Sequence, residues 1–133
     1  MFTDIVGYSK MVAKDEKYAL SLLDEHNQII FPIVEKFNGR IIKLIGDAVF
    51  AEFETPLYSI QSAMDIQKKF RDRNQIIRIQ DQVQIRIGLH TGEVIEKDND
   101  LFGHDVNLGS RIENTTPPGC ITVSEDVFMA IEN

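Results

Sequence analysis

Two aspartates stand where carboxylates could act on a phosphate. Asp4 lies near the end of an apolar run at the start of the chain, and Asp47 follows Gly46 between two further apolar runs. Two carboxylates brought together would form a hard oxygen site for Mg²⁺ or Mn²⁺, which need few protein ligands when substrate phosphates supply the rest. A helix cap at Asp4 and an ordinary turn residue at Asp47 would explain the same pattern without metal.

A second pair of polar residues lies further along the chain. Asn107 and Arg111 are four residues apart in a segment with helical signals, so they project from one helix face. An amide and a guanidinium together can hold a sugar oxygen and the charge that develops on a phosphorus atom. A solvated helix face with an ordinary surface arginine would show the same spacing.

Composition narrows the classes of function. The 133 residues fit one domain, and the net charge of -7 leaves no basic surface for nucleic acid or anionic lipid. An acidic protein that handles phosphates would need metal ions. A single cysteine, no signal peptide pattern and no apolar stretch long enough for a membrane span indicate a reducing, cytoplasmic setting.

Periodicity and turn signals predict the elements that must position these residues. Strands are predicted at 1–6, 40–45, 48–53, 83–89, 93–97 and 120–123, with 83–89 and 93–97 forming a hairpin turned at Thr91-Gly92. Helices are predicted at 16–37, with a kink or break at Pro32, at 56–73 and 103–115, and from Ser124 onward. Leu20 and Met64 are expected to face inward.

The order β, α, β, β, α, β with additions indicates an α+β fold with the ferredoxin-like βαββαβ core, an antiparallel sheet with helices packed on it. In this topology the first strand lies beside the third. Because these neighbours run antiparallel, the end of the first strand meets the beginning of the third. The fold therefore predicts that Asp4 and Asp47 lie at the same rim of the sheet.

Four sequence blocks stand out along the chain. They are Phe2-Thr3-Asp4-Ile5-Val6-Gly7-Tyr8, Lys43-Leu44-Ile45-Gly46-Asp47, Ile87-Gly88-Leu89-His90-Thr91-Gly92, and Phe102-Gly103 with Val106-Asn107 and Ser110-Arg111. With these blocks in this order, the chain resembles class III nucleotide cyclase catalytic domains over nearly its whole length. The resemblance implies one catalytic domain over residues 1–133, trimmed at both ends relative to family members.

The resemblance also implies residue roles. In the metal half of the site, Asp4 and Asp47 would bind two divalent metal ions, Mg²⁺ or Mn²⁺, with the Ile5 carbonyl assisting. Backbone amides of the following segment would bind the triphosphate; these are the amides of Val6, Gly7 and Tyr8. In the other half, Asn107 would orient the ribose and Arg111 would stabilise the transition state at the α-phosphorus.

The residues that select the purine map to Lys43 and Asp100. Adenine offers an acceptor at N1 beside the donor amine at N6, which match a lysine donor and an aspartate acceptor, whereas guanine reverses this order. The resemblance therefore implies an adenylate cyclase that converts ATP to 3',5'-cyclic AMP and pyrophosphate. The alternatives are a guanylate cyclase, which this pair disfavours, and a catalytically silent nucleotide-sensing or dimerisation module.

Family members form the site between two chains arranged head to tail. Since this chain carries both halves of the site, the resemblance implies a homodimer with two equivalent composite sites and an inactive monomer. Regulation would act through segments of the parent protein outside this sequence, and that parent could be tethered to a membrane.

Overall fold

The computed structural model describes residues 1–132, which contain a five-stranded sheet, a separate two-stranded sheet and five α-helices. The strands are β1 (Phe2–Ile5), β2 (Arg40–Ile45), β3 (Ala48–Glu52), β4 (Ile85–Leu89), β5 (Ile95–Lys97), β6 (Asp100–Phe102) and β7 (Ile121–Val123). The helices are α1 (Tyr8–Lys14), α2 (Glu16–Lys36), α3 (Pro56–Gln75), α4 (His104–Asn114) and α5 (Glu125–Ile131), with a 3-10 turn at Ile79–Asp81.

The main sheet has the strand order β2-β3-β1-β4-β7. Strand β1 is central and runs antiparallel to both β3 and β4. The first four strands therefore have the predicted ferredoxin-like topology. The prediction of a purely antiparallel sheet was wrong at its edge, because β7 pairs with β4 in parallel.

The two faces of the sheet carry different layers. Side chains alternate along a strand, so Ile5 packs into the main core with residues of α2 and α3, whereas Phe2 belongs to a smaller cluster on the opposite face. Helix α4 covers that second face, where a Cβ added to Gly109 would lie 3.3 Å from the Phe2 ring. Helices thus cover both faces, and Asp4 shares the second face with Phe2.

Helix α2 continues through Pro32 over its 21 residues, so the expected break into two helices does not occur. Proline at this position removes the amide that would bond to the Gln28 carbonyl. Both Pro32 and Gln28 are exposed, so water can satisfy that carbonyl. Leu20 and Met64 are 51% and 60% exposed and do not face inward as expected.

The predicted hairpin between 83–89 and 93–97 does not form. Strand β5 does not return along β4 but pairs with β6 in a separate two-stranded sheet. Asp98 and Asn99, between these two strands, have φ values of 54° and 61°. Two consecutive residues with positive φ form the tight turn that matches the twist of a hairpin, and this turn decides the partner of β5.

Within residues 1–132, no helix combines the length and the apolar character required to cross a membrane.

The buried ring of His26 predicts a pH-dependent stability. His26 is 1% exposed, its Nδ1 lies 2.9 Å from the Asn27 amide oxygen, and burial lowers its pKa below the ordinary value of 6.5. The unfolded chain therefore binds this proton more readily than the folded chain. We expect the free energy of unfolding to fall as pH is lowered through about 6.5.

Urea unfolding at about pH 7.5 and about pH 5.5 measures this effect, with His26→Leu as the comparison. The variant should lose less stability than the parent chain between the two pH values, because position 26 then takes up no proton on unfolding. Equal losses in both proteins would contradict the assignment.

Candidate active site

The hairpin between β2 and β3 brings Asp47 to the end of β1. Gly46 takes a φ of 60° in the turn, and the next residue directs its carboxylate toward β1. The Ile5 amide donates a hydrogen bond of 2.7 Å to Asp47 Oδ2. Because Ile5 follows Asp4 directly, the two carboxylates lie at one rim of the sheet, as the strand order predicts.

Arg86 holds the Asp4 carboxylate from the neighbouring strand. The register of β1 and β4 places these residues opposite each other, and the guanidinium donates to both carboxylate oxygens at 2.9 and 2.6 Å. The hydrogen bonds to Asp4 raise the pKa of Arg86 further above its ordinary value. Arg86 was not predicted as a site residue, although it alternates with the apolar residues of β4 and therefore points to the other face.

Glu113 adds a third carboxyl group at this rim. It lies in the last turn of α4, is 4% exposed, and has Asp4 as a neighbouring carboxyl group. Burial and then the neighbouring Asp4 raise the pKa of Glu113 to about 8. No sequence signal separated Glu113 from an ordinary polar helix residue.

The carboxylates of Asp4 and Asp47 fit a metal site in which the substrate supplies further oxygen ligands. Within residues 1–132, no three or more His, Cys, Asp or Glu side chains are grouped in a way that could hold an ion by themselves. Asp47 uses Oδ2 for the Ile5 amide, which leaves Oδ1 for a cation, and each Asp4 oxygen has a second lone pair beyond Arg86. Two carboxylates plus water and phosphate oxygens suit Mg²⁺ or Mn²⁺.

The side chains of Lys43 and Asp100 are in direct contact. Lys43 Nζ lies 2.8 Å from Asp100 Oδ2, although 57 residues separate them in the chain. Strand β2 carries the lysine opposite Phe50, and the Lys43 hydrogen bond lowers the pKa of Asp100, helped by the Leu101 amide. The two predicted purine-selecting residues therefore form one polar pair.

A buried apolar cluster adjoins this pair. The rings of Phe2 and Phe50 stack with centroids 4.3 Å apart, Leu101 is buried with them, and Ile42 and Val106 pack against the three. Phe2 and Phe50 are 8% and 5% exposed, so the cluster is part of the core on this face of the sheet.

Helix α4 turns its two predicted substrate residues away from its own sheet. Gly109 and Glu113 pack inward on the sheet, whereas Asn107 and Arg111 are exposed. Residues two positions apart on a helix differ by about 200°, so Arg111 lies opposite the inward stripe on which both Gly109 and Glu113 lie. The chain therefore does not bring Arg111 to its own Asp4.

A hydrogen-bond chain fixes where α4 begins. The His90 Nε2 lies 2.7 Å from Asp105 Oδ1, and its Nδ1 lies 2.8 Å from the Ser124 hydroxyl, which also caps α5 by accepting from the Val127 amide. The two ring nitrogens thus join the first turn of α4 to the N-cap of α5. The hydrogen bond with His90 lowers the pKa of Asp105.

The segment after β1 offers fewer amides than expected. The Val6 amide already donates to the Gln84 carbonyl at 2.9 Å, so its hydrogen is used within the chain. Gly7 takes a left-handed conformation with φ 74° and caps α1, which begins at Tyr8. Only Gly7 and Tyr8 remain candidates for backbone contacts to phosphate.

The whole chain, residues 1–133, matches the family model described as adenylate and guanylate cyclase catalytic domain. The chain belongs to the class III nucleotide cyclase family. The crystal structure of an adenylate/guanylate cyclase/hydrolase from Silicibacter pomeroyi is similar with a TM-score of 0.88 and 30% identity, covering 98% of this chain and 76% of that one.

Curated relatives of this cyclase domain carry both activities in their names. An adenylate cyclase of Glutamicibacter nicotianae is 25% identical over 97% of this chain, and the receptor-type guanylate cyclase gcy-13 of Caenorhabditis elegans is 28% identical over 96%. The chain spans 30% and 14% of these two proteins respectively. Family membership therefore leaves the choice between ATP and GTP open.

The close packing of α4 on β4 predicts that a side chain at Gly88 destabilises the cyclase domain. A Cβ at Gly88 would lie 2.5 and 2.6 Å from the Glu113 amide nitrogen and Cα, and neither backbone atom can move without shifting the helix. We expect Gly88→Ala to lower the free energy of unfolding by about 1–3 kcal/mol.

Gly109→Ala is the matched control. Its Cβ would lie 3.3 Å from the edge of the Phe2 ring and 3.7 Å from His90 Cβ, without a backbone clash, and alanine favours the helix by about 1 kcal/mol over glycine. Denaturant unfolding of both variants measures the difference, and equal stability of the two variants would contradict the steric account.

Proposed function

We propose that this cyclase domain converts ATP to 3',5'-cyclic AMP and pyrophosphate in composite sites of a head-to-tail homodimer. The contact between Lys43 and Asp100 is the observation that favours ATP as the substrate. The lysine ammonium donates to adenine N1 and the aspartate accepts from the N6 amine. Guanine would place its N1 hydrogen against the ammonium and its O6 oxygen against the carboxylate, which leaves buried polar groups unpaired.

The reaction is an internal displacement at the α-phosphorus of ATP. The ribose 3'-oxygen forms the new bond to phosphorus, the bond to the bridging oxygen of pyrophosphate breaks, and the 3'-hydroxyl proton passes to water. Asn107 orients the ribose, and Arg111 stabilises the charge on the α-phosphoryl oxygens as the bonds exchange. Arg86, which lies on Asp4, adds a cation beside the expected position of the triphosphate.

Asp4, Asp47 and the Ile5 carbonyl would hold two divalent ions, Mg²⁺ or Mn²⁺. When bound, such ions lower the pKa of the 3'-hydroxyl and neutralise charge on the triphosphate. The amides of Gly7 and Tyr8 would bind phosphate oxygens beside them.

The orientation of α4 supports a shared site. Asn107 and Arg111 lie on the exposed side of the helix, opposite the stripe that carries Glu113 toward Asp4. A second copy placed head to tail can bring its Asp4 and Asp47 to this exposed side. Two-fold symmetry then creates two equivalent sites, each with metal residues from one chain and Arg111 from the other.

Mixing two inactive variants tests the shared site. Asp47→Asn removes a metal carboxylate while an amide oxygen can still accept from the Ile5 amide, and Arg111→Ala removes the transition-state cation. Each variant alone should lose about 10²-fold or more in activity. An equal mixture should recover about a quarter of the parent activity, because half of the dimers then contain one complete site of two.

The readout is cyclic AMP formed from ATP and Mn²⁺, measured by mass spectrometry over a range of protein concentrations. Specific activity of the parent chain should rise with its concentration. A mixture as inactive as its components would refute the shared site, and a parent chain without any cyclic nucleotide product would refute the proposed reaction.

If Lys43 and Asp100 select the purine, substituting them should change the preferred substrate. Lys43→Glu should lower kcat/KM for ATP by about 10- to 100-fold, because it removes the donor to adenine N1. Adding Asp100→Asn supplies an amide donor for guanine O6, so the double variant should prefer GTP.

Arg40→Glu is the control, since it makes the same charge change in the same strand at a residue that pairs with Glu52 and Glu96. Its ATP-to-GTP ratio of kcat/KM should match that of the parent chain. A double variant that still prefers ATP would refute the assignment of the pair.

A further inference from the structure

Strand β2 contains one residue more than its pairing with β3 requires. Ile41 lies opposite Ala51 in this ladder. The next pair joins Lys43 to Phe50, so three residues of β2 span two residues of β3. Ile42 is therefore the extra residue of a β-bulge. A bulge lets two neighbouring side chains of one strand face the same side of the sheet, which regular alternation forbids.

The bulge distributes three neighbouring side chains unequally between the two faces. Ile41 packs against the main core. Ile42 packs against the smaller apolar cluster on the opposite face. Lys43 lies on that same face, because it is opposite Phe50, a member of the cluster. An apolar and a cationic side chain therefore stand next to each other on the face that carries the candidate site.

The same cluster anchors the other member of the polar pair. Leu101 is 4% exposed within the cluster and follows Asp100 directly. The Leu101 amide donates to Asp100 Oδ1 at 2.7 Å, and Lys43 Nζ donates to Asp100 Oδ2 at 2.8 Å. Each charged residue thus has a sequence neighbour in the cluster, which is Leu101 for the aspartate and Ile42 for the lysine.

We propose that Ile42 is a positioning residue for purine selection, which holds the Lys43 ammonium where it meets Asp100. The inference rests on the proposed choice of ATP through this pair. A lysine ammonium sits on a flexible four-carbon stem, and the Lys43 side chain is 41% exposed, so its own packing does not fix the charge. The strand beneath the lysine must do so, and Ile42 attaches that strand to the cluster that also holds Asp100.

Ile41 supplies a matched control for this role. It has the same side chain as Ile42, is also partly buried, and precedes it in the same strand, but it packs on the opposite face. Ile41→Ala and Ile42→Ala remove the same atoms, so each should lower the free energy of unfolding. Only Ile42→Ala should disturb the polar pair. Ile42→Thr, which keeps strand propensity but adds a hydroxyl to the apolar cluster, gives the same comparison if the alanine variant does not fold.

The first measurement observes the polar pair without metal or nucleotide. The scalar coupling across the hydrogen bond, between Lys43 ¹⁵Nζ and the Asp100 carboxyl carbon, reports their contact. We expect this coupling in the parent chain and in Ile41→Ala, and its loss in Ile42→Ala. Ile42→Val keeps a β-branched apolar side chain and should retain the coupling. An unchanged coupling in Ile42→Ala would overturn the proposal, and so would its absence from the parent chain.

The second measurement is the ratio of kcat/KM for ATP to kcat/KM for GTP. Ile42→Ala should lower this ratio about 3- to 10-fold, which corresponds to the loss of one hydrogen bond to the base. Ile41→Ala should leave the ratio unchanged, and Ile42→Val should restore most of it. If Ile42 only stabilised the fold, its loss would lower activity with both nucleotides equally, and such equal losses would overturn the proposal.

The two measurements separate the failure of this inference from the failure of the proposed function. A parent chain that prefers GTP or forms no cyclic nucleotide would refute the proposed function, and the coupling would then decide the positioning of Lys43 alone. A coupling that is lost in Ile42→Ala while the ratio stays unchanged would show that the pair does not select the base. That result would overturn the role of Ile42 in selection.

Discussion

The antiparallel pairing of β1 with two neighbours is the constraint on which the site depends. Pairing with β3 brings the hairpin residue Asp47 to the Ile5 amide, and pairing with β4 places Arg86 opposite Asp4. A shift of either register by one residue would turn Asp4 or Arg86 to the other face of the sheet, into the apolar core. The strands that carry Asp4 and Arg86 also carry buried apolar residues, among them Ile5 in β1 and Ile85 and Ile87 in β4, so the packing of the core fixes the geometry of the rim.

The second face of the sheet carries the candidate site. Phe2 and Phe50 stack beside the polar pair of Lys43 and Asp100, and α4 lies across the same surface. The main core, by contrast, fills the face beneath α2 and α3. This separation lets the chain keep a dry core on one side while it exposes carboxylates, a lysine and an arginine on the other.

Sequence reasoning predicted the parts of the site that depend on strand order and helix spacing. Asp4 and Asp47 meet because first and third strands are neighbours in a βαββαβ fold, and Asn107 and Arg111 share a face because they are four residues apart. Arg86 and Glu113 were missed because their importance depends on register and on the height of α4 above β4. Those quantities are set by contacts such as that between Gly88 and the Glu113 backbone, which a single sequence does not display.

The mispredicted second hairpin has the same origin: Thr91-Gly92 satisfies local rules for a turn, but Gly92 packs against Asp105, where a Cβ would lie 2.2 Å from the carboxyl carbon. The chain is therefore led away from β4, and the pairing of β5 with β6 brings Asp100 within reach of Lys43.

Lys43 and Asp100 satisfy each other's charge within the chain, and this changes what the proposed base recognition would require. Under that proposal a nucleotide would bind as a competitor, because it must replace a hydrogen bond of 2.8 Å between protein groups with two hydrogen bonds of its own. A base that matched only one of the two groups would leave the other without its former partner. Selectivity would then depend on the cost of opening the ion pair as well as on the hydrogen bonds that the base forms.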